Sequence, residues 1–209
     1  MPNFIDLTRT IDGEMPGVQL ETAKSVEKEG WNARNLHLYS HSGTHMDAPV
    51  HFGVEGPTID QIPVSKFMTR TWMVSVEAEA GGLIEIAHLQ EFKDKISAGE
   101  SIVIKTGWSK KYGTNAYRDL LPRISAELAD WLVEKKINII GVEPPSVADV
   151  NNLEEVTLIH KKLLSGGITI VEGLTNLEAV TVNPFLMVAL PLKIKDGDGA
   201  PARVIAIEN

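Results

Sequence analysis

The 209-residue chain contains no cysteine. This absence removes disulfide bonds, thiolate metal ligands and cysteine nucleophiles together. Any bound metal ion must therefore be held by histidine, aspartate and glutamate side chains. Such a donor set excludes the thiolate-rich structural zinc sites and favours the open sites that are typical of catalysis.

Basic residues and long apolar runs are also scarce. The chain has 20 Lys and Arg against 28 Asp and Glu, a formal net charge of −8. Nucleic acids and anionic membranes reward basic patches, so we expect neither as a partner. No apolar window approaches 18 residues, and Met1–Asp6 lacks a basic region followed by an apolar run. We therefore expect no membrane span, no secretory signal and a cytoplasmic location.

Several common catalytic and binding motifs are missing. Neither Ser42 nor Ser146 lies in a Gly-x-Ser-x-Gly nucleophile elbow, and the phosphate-loop and dinucleotide-turn motifs are absent. The Asp-Gly-Asp-Gly segment at residues 196–199 resembles part of a calcium loop but lacks the glutamate at its twelfth position. We interpret this segment as a surface turn.

The composition and the apolar runs predict one mixed α/β domain spanning residues 1–209. Hydrophobic residues make up 43% and charged residues 23% of the chain, as in ordinary soluble domains. Helical spacing of apolar residues predicts helices at Ser125–Lys136, with Ser125 as a cap, and at Asn152–Leu164. Short β-branched or aliphatic runs separated by Gly and Pro predict strands at Phe4–Thr8, Asn35–Ser40, Thr71–Val76, Ser101–Thr106, Ile137–Val142, Ile168–Val171, Leu186–Leu190 and Arg203–Ile207.

One segment concentrates metal-binding residue types. Half of the six histidines, together with one aspartate, lie within eleven residues at His41, His45, Asp47 and His51. Imidazole nitrogens and carboxylate oxygens bind borderline-hard divalent metals. The clustering therefore predicts that His41, His45 and Asp47 bind metal, while spacing leaves His51 open as either a ligand or a catalytic base.

The spacing of these residues also predicts the local backbone. A straight strand would separate His41 and His45 by about 13 Å, too far for both to bind one ion. A continuous helix is disfavoured by Gly43 and Pro49. We therefore expect a bent loop, with Gly43 as the residue that permits the bend.

Two later residues could complete the site. His160 lies on the apolar face of the second predicted helix, where a hydrogen-bonded core histidine is the more common case. Glu172 follows the run Ile168–Val171 and shares its strand parity with Ile168 and Ile170. It could turn to solvent, or point inward, where metal coordination would relieve the cost of a buried carboxylate.

The segment His-x-Gly-Thr-His-x-Asp-x-Pro-x-His at residues 41–51 resembles the signature of the metal-dependent cyclase-like hydrolases, which include bacterial kynurenine formamidases and isatin hydrolases. Other segments are similar to the same family: Lys-Thr-Gly-Trp at 105–108, Gly-Val-Glu-Pro-Pro-Ser-Val at 141–147, and Gly-Leu-Thr-Asn-Leu at 173–177. His160 and Glu172, twelve residues apart, also match. The resemblance runs from about residue 35 to about residue 180.

This resemblance implies a swivelling β/β/α-type fold, a homodimer or larger homo-oligomer, and two divalent ions per subunit, Zn²⁺ or Mn²⁺. Asp47 and Glu172 would bridge the two ions, and His51 would act as the general acid and base. The other metal ligands that the resemblance implies are His41 and His45 for one ion and His160 for the second.

The resemblance favours a metal-dependent amide hydrolase of the arylformamidase type, acting on N-formylkynurenine in tryptophan catabolism. Two departures from formamidases bear on the substrate: the loop at residues 13–18 has no aromatic residue, and Glu143 stands where aspartate is common. Trp31, Phe52 and Trp108 are the aromatic candidates for the pocket. An isatin hydrolase-like enzyme, another cyclic amide or lactone hydrolase, and a non-catalytic metal-binding protein remain alternatives.

Overall fold

The computed structural model describes residues 1–208, and its centre is a closed barrel of seven strands. Asn209, the last residue of the predicted domain, lies outside the described residues. The strands are β1 Asn3–Asp6, β2 Val18–Lys24, β3 Ala33–Leu38, β4 His45–Asp47, β5 Met68–Ser75, β6 Leu83–Ile84, β7 Ser101–Lys105, β8 Arg123–Ile124, β9 Ile139–Val142, β10 Thr169–Glu172, β11 Phe185–Pro191 and β12 Gly199–Glu208. The strand order is β1-β12-β11-β5-β7-β9-β10-β4, and β4 pairs with β12 to close the ring, leaving β1 outside.

Four α-helices accompany the strands: α1 Val26–Glu29, α2 Asn115–Asp119, α3 Ala126–Glu134 and α4 Leu153–Ser165. The two predicted helices are confirmed as α3 and α4. The Ser125 hydroxyl accepts a hydrogen bond from the Leu128 amide at 3.1 Å, as predicted for a cap. The Asn152 side chain accepts one from the Glu155 amide at 3.1 Å and caps α4 in the same way.

The parallel strands β5, β7, β9 and β10 separate two apolar layers. Because side chains alternate along a strand, Ile102 and Ile104 of β7 pack toward the helices, while Val103 packs inside the barrel. Burial on both faces explains why these strands appear in the sequence as nearly continuous apolar runs. The mixed α/β prediction is confirmed.

The eight predicted strands all overlap observed strands, with ends that differ by a few residues. Four observed strands were not predicted: β2, β4, β6 and β8. β2 pairs with β3 in a mostly solvent-exposed hairpin outside the barrel, so it lacks the apolar pattern of a core strand. In residues 1–208, no helix is long and apolar enough to cross a bilayer.

Candidate functional site

The predicted metal-binding segment bends at Gly43, which has a φ of +64°. The bend brings the rings of His41 and His45 to 5.1 Å between centroids, instead of the separation that a straight strand would impose. After the bend the chain enters β4, which pairs with β10 on one side and with β12 on the other. The short strand thereby fixes His45 and Asp47 between two distant parts of the chain.

His160 and Glu172 meet this segment, although they lie more than a hundred residues later. His160 comes from α4, and its Nε2 lies 3.4 Å from Glu172 Oε1 and 3.7 Å from Asp47 Oδ2. His45 Nε2 lies 3.1 Å from Glu172 Oε2 and 3.7 Å from Asp47 Oδ1. Each carboxylate therefore faces both histidines through different oxygens.

Backbone carbonyls orient two of the three imidazoles. His45 Nδ1 donates a hydrogen bond to the Gly43 carbonyl at 3.0 Å, and His160 Nδ1 donates to the Val156 carbonyl at 2.7 Å. In both rings this leaves Nε2 to face the carboxylates. Such a hydrogen bond from the remote nitrogen is typical of histidines that bind metal.

The donor set fits divalent cations. His45, Asp47, His160 and Glu172 are all at most 3% exposed, yet Asp47 Oδ2 is buried without a hydrogen-bond partner. An unpaired buried carboxylate oxygen is costly unless a cation or a donor meets it. Three groups of candidate ligands have their atoms within 4.8 Å of one another. Two of them share Asp47: His41, His45 and Asp47 in one, with Asp47, His160 and Glu172 in the other. The third comprises His41, His51 and Asp198.

The charges of the cluster oppose the effect of burial on its pKa values. Burial alone would lower the pKa of His41, but the hydrogen bonds and charges of Asp47 and Asp198 outweigh it and raise that pKa to about 9. The carboxylates likewise raise the pKa of His45 and His160. Burial would raise the pKa of Glu172, yet hydrogen bonds from His160 and His45 lower it well below its usual range. The pocket thus stabilises positive charge, which protons or metal ions can supply.

His51 lies beside this cluster in the 3₁₀ turn Pro49–Phe52. Its ring stacks on His41 at 3.7 Å between centroids, and its side chain is 23% exposed. Burial lowers the pKa of His51 below its ordinary value. The charges of His41 and His160 also lower it, whereas the charges of Asp47 and Glu172 act to raise it. The lowered pKa favours the neutral imidazole, which is the form that can accept a proton.

The Asp-Gly-Asp-Gly segment is more than the surface turn that we predicted. Asp198 Oδ2 accepts a hydrogen bond from His41 Nε2 at 3.0 Å and lies 3.6 Å from His51 Nδ1. Gly199 pairs with Asp47 at the closure of the barrel, and a Cβ on Gly199 would lie 2.6 Å from His41 Cε1. His41 and Asp198 are 157 residues apart in the sequence. Only knowledge that β4 pairs with β12 could have predicted their contact.

Glu143, one of the departures from formamidases, lies outside the metal cluster and is fully buried. Its Oε2 accepts hydrogen bonds from the amides of Thr106 at 2.6 Å and Gly107 at 2.5 Å. Its Oε1 accepts one from the Ser109 hydroxyl at 2.7 Å. Glu143 therefore holds the turn after β7. From this turn the chain continues to Tyr112 and Tyr117, which line a cavity beside His41 and His45.

A cavity of about 600 Å³ opens beside His41 and His45. Its aromatic lining is the chain's three tyrosines, Tyr39, Tyr112 and Tyr117, none of which we had named from the sequence. Among the candidates that we did name, Trp31 is 55% exposed. The buried Trp108 donates its indole N–H to the Tyr117 carbonyl, and Phe52 stacks on His160 at 4.2 Å between centroids. None of the three lines this cavity.

Comparisons with known proteins show which family the chain resembles. The Cyclase family model matches residues 5–149. Kynurenine formamidases of Bacillus thuringiensis (strain Al Hakam) and of Bacillus cereus are each 30% identical to the chain, over 97% of its length and 96% of theirs.

Solved structures share the fold. Isatin hydrolase A from Labrenzia aggregata has a TM-score of 0.90 at 24% identity, covering 99% of this chain and 94% of that one. A structure described as a potential metal-dependent hydrolase with cyclase activity has a TM-score of 0.81 at 26% identity, covering 100% and 99%. The matched family model and the full-length relatives show that this chain belongs to the cyclase family.

Proposed function

We propose that the protein is a metal-dependent amide hydrolase that removes the formyl group from an N-formyl arylamine, the reaction of an arylformamidase. The observation that carries this proposal is the convergence of three histidines and two carboxylates, from three separate parts of the chain, beside His51 and an open cavity. The 30% identity to kynurenine formamidases over nearly the whole chain supports N-formylkynurenine as the candidate substrate.

The metal complement that we propose is two divalent ions per subunit, zinc or manganese, both of which suit His, Asp and Glu donors. One ion would be held by His41, His45 and Asp47, and the other by His160, Asp47 and Glu172. Supporting this assignment, the potential ligand atoms of each set lie within 4.8 Å of one another. When bound, such ions act as Lewis acids that polarise a carbonyl oxygen and make a water molecule acidic enough to react near pH 7.

The chain's own residues would manage the proton. A water oxygen adds to the formyl carbon, and His51 takes the proton that the water releases. The adduct then breaks its C–N bond as His51 returns the proton to the arylamine nitrogen, giving the free amine and formic acid, which releases its proton to solvent to become formate. Stacking on His41 and proximity to Asp198 limit the rotation of the His51 ring.

The test combines metal analysis with a hydrolysis screen of aryl formamides, lactams and lactones. We expect stoichiometric metal and turnover of aryl formamides. Turnover of cyclic amides alone would point to an isatin hydrolase-like activity. Full metal loading without turnover of any compound would support the non-catalytic alternative and contradict our proposal.

The role of His51 has its own test. His51→Ala should retain metal and lose roughly two to four orders of magnitude in kcat, as expected on removal of a general acid and base. His37→Ala is a matched control, because His37 lies on β3 with a side chain that is 62% exposed. Near-native turnover by metal-loaded His51→Ala would contradict the role.

We also propose that the protein is a homodimer or a larger homo-oligomer. Supporting this, the β2–β3 hairpin and its flanks carry exposed apolar side chains, including Trp31, Leu36 and Tyr39 at 55–59% exposure. Light scattering coupled to gel filtration tests the proposal, and a monomeric mass would contradict it. The single-domain extent of residues 1–209 and the cytoplasmic location stay predictions.

A further inference from the structure

The cavity beside the candidate metal residues contains a cation that the proposed reaction does not use. Arg9 lines this cavity together with His41 and His45. Its backbone amide donates a hydrogen bond to Thr44 Oγ1 at 2.9 Å, and Thr44 lies between Gly43 and His45 in the metal-binding loop. Arg9 is therefore tied directly to the loop that would hold the reacting formyl group.

The guanidinium of Arg9 is held in place by rings and by a carbonyl. Its Cζ lies 3.9 Å from the centroid of the Tyr112 ring and 5.4 Å from that of Tyr117. Its Nη2 donates to the Ser109 carbonyl at 3.3 Å. Stacking on an aromatic face fixes the plane of a guanidinium while leaving its edge available to a planar anion.

Arg9 lacks an anionic partner within the described residues. Its Nε is buried and has no hydrogen-bond acceptor, and no ion pair joins its guanidinium to a carboxylate of residues 1–208. Arg118, the other arginine of the cavity, differs because it pairs with Asp119 at 2.8 Å and with the Asn151 side chain at 3.0 Å. A partly buried cation without an anionic partner carries a desolvation cost, and a ligand anion would offset that cost.

We propose that Arg9 is the binding subsite for a carboxylate of the substrate, so that the enzyme prefers aryl formamides that carry an anionic carboxylate over neutral ones. This inference rests on the proposed function, because it names the class of formamide that the site accepts. The rigid fork of a guanidinium matches a carboxylate through two parallel hydrogen bonds. The tyrosines that hold Arg9 would at the same time form the walls around the aromatic ring of the substrate.

Other charges around the cavity are consistent with this placement. Asp12 and Glu14 also line it, but both are exposed, so water screens their repulsion of an anion. Arg9, in contrast, is partly buried.

The experiment compares formanilide, which is neutral, with its three ring-carboxylated isomers as substrates of the metal-loaded enzyme. We expect kcat/KM for the best carboxylated isomer to exceed that of formanilide by about ten- to a hundredfold. Arg9→Met should abolish this ratio, and Arg9→Lys should retain part of it, because lysine keeps the charge without the fork. Arg118→Met is the matched control and should leave the ratio as in the wild type.

Calorimetric titration with benzoate and with benzamide provides a readout that needs no turnover. Benzoate should bind the wild type about tenfold or more tightly than it binds Arg9→Met, and benzamide should not discriminate between them. Equal carboxylate preference, or equal benzoate affinity, in wild type and Arg9→Met would overturn the subsite while leaving formamide hydrolysis intact. If the wild type binds benzoate more tightly than Arg9→Met does, but hydrolyses no formamide, the subsite is supported and the proposed function is contradicted.

Discussion

Replacing Asp198 tests whether a residue outside the two proposed ligand sets helps to hold the metal. Asp198→Ala removes the carboxylate that accepts the hydrogen bond from His41 Nε2 at 3.0 Å. That bond fixes the ring so that Nδ1 faces Asp47, 2.8 Å away. Loss of such a supporting partner typically costs about 10- to 100-fold in metal affinity or activity.

The exposure of Asp198 places the expected loss at the lower end of that range. Its side chain is 44% exposed, so water can replace the lost acceptor and already screens its charge. We expect Asp198→Ala to weaken metal binding about tenfold, which corresponds to about 1.4 kcal/mol. Asp198→Asn retains an acceptor oxygen without the charge and should show a smaller loss.

The assay is competition for metal between each variant and a chelating dye, followed by kcat at saturating metal. Asp196→Asn is the matched control, because Asp196 lies in the same turn with a φ of +56°, a backbone conformation that asparagine tolerates. Metal affinity of Asp198→Ala equal to that of the wild type and of Asp196→Asn would refute the argument that Asp198 orients His41.

Three further predictions concern stability. Gly199→Ala should destabilise the fold by about 1–3 kcal/mol in urea titrations, because its Cβ would lie 2.6 Å from both His41 Cε1 and the Met46 carbonyl oxygen; an unchanged midpoint would contradict this. Burial raises the pKa of Glu100, but hydrogen bonds including that from the Trp72 indole outweigh it and lower that pKa. Glu100→Gln should therefore lower the free energy of unfolding by about 1 kcal/mol at pH 7. This difference from the wild type should shrink as the pH falls from about 4.3, the ordinary pKa of a glutamate, through the lower pKa of the folded state. An equal loss of stability at pH 7 and pH 3 would contradict this reasoning. Chelation should lower the melting temperature, and metal at about 100 times its Kd should restore about 2.7 kcal/mol; superimposable melting curves with and without chelator would speak against a metal centre in the core.

Local interactions explain which features the sequence could predict. The bend at Gly43 follows from the spacing of His41 and His45, because two ligands four residues apart cannot meet on a straight strand. The caps of α3 and α4 involve residues three positions apart. The central strands are buried on both faces, so their apolar runs are visible without knowledge of their neighbours.

Exposed or very short elements were missed for the opposite reason. The β2–β3 hairpin buries little apolar surface, so β2 carries no strong pattern. β4 has three residues and is a strand only because β10 and β12 flank it. Its hydrogen bonds come from other parts of the chain.

The sequence by itself determined which donors a metal centre could use: it has no cysteine, and imidazoles and a carboxylate cluster around Gly43, so nitrogen and oxygen donors were the expected set. The tertiary structure alone decided what surrounds this cluster. Closure of the barrel through β4 and β12 brings Asp198 to His41, and the turn held by Glu143 leads to the tyrosines that pack around Arg9. These contacts join residues far apart in the chain, and strand pairing and packing create them, so no local spacing in the sequence records them.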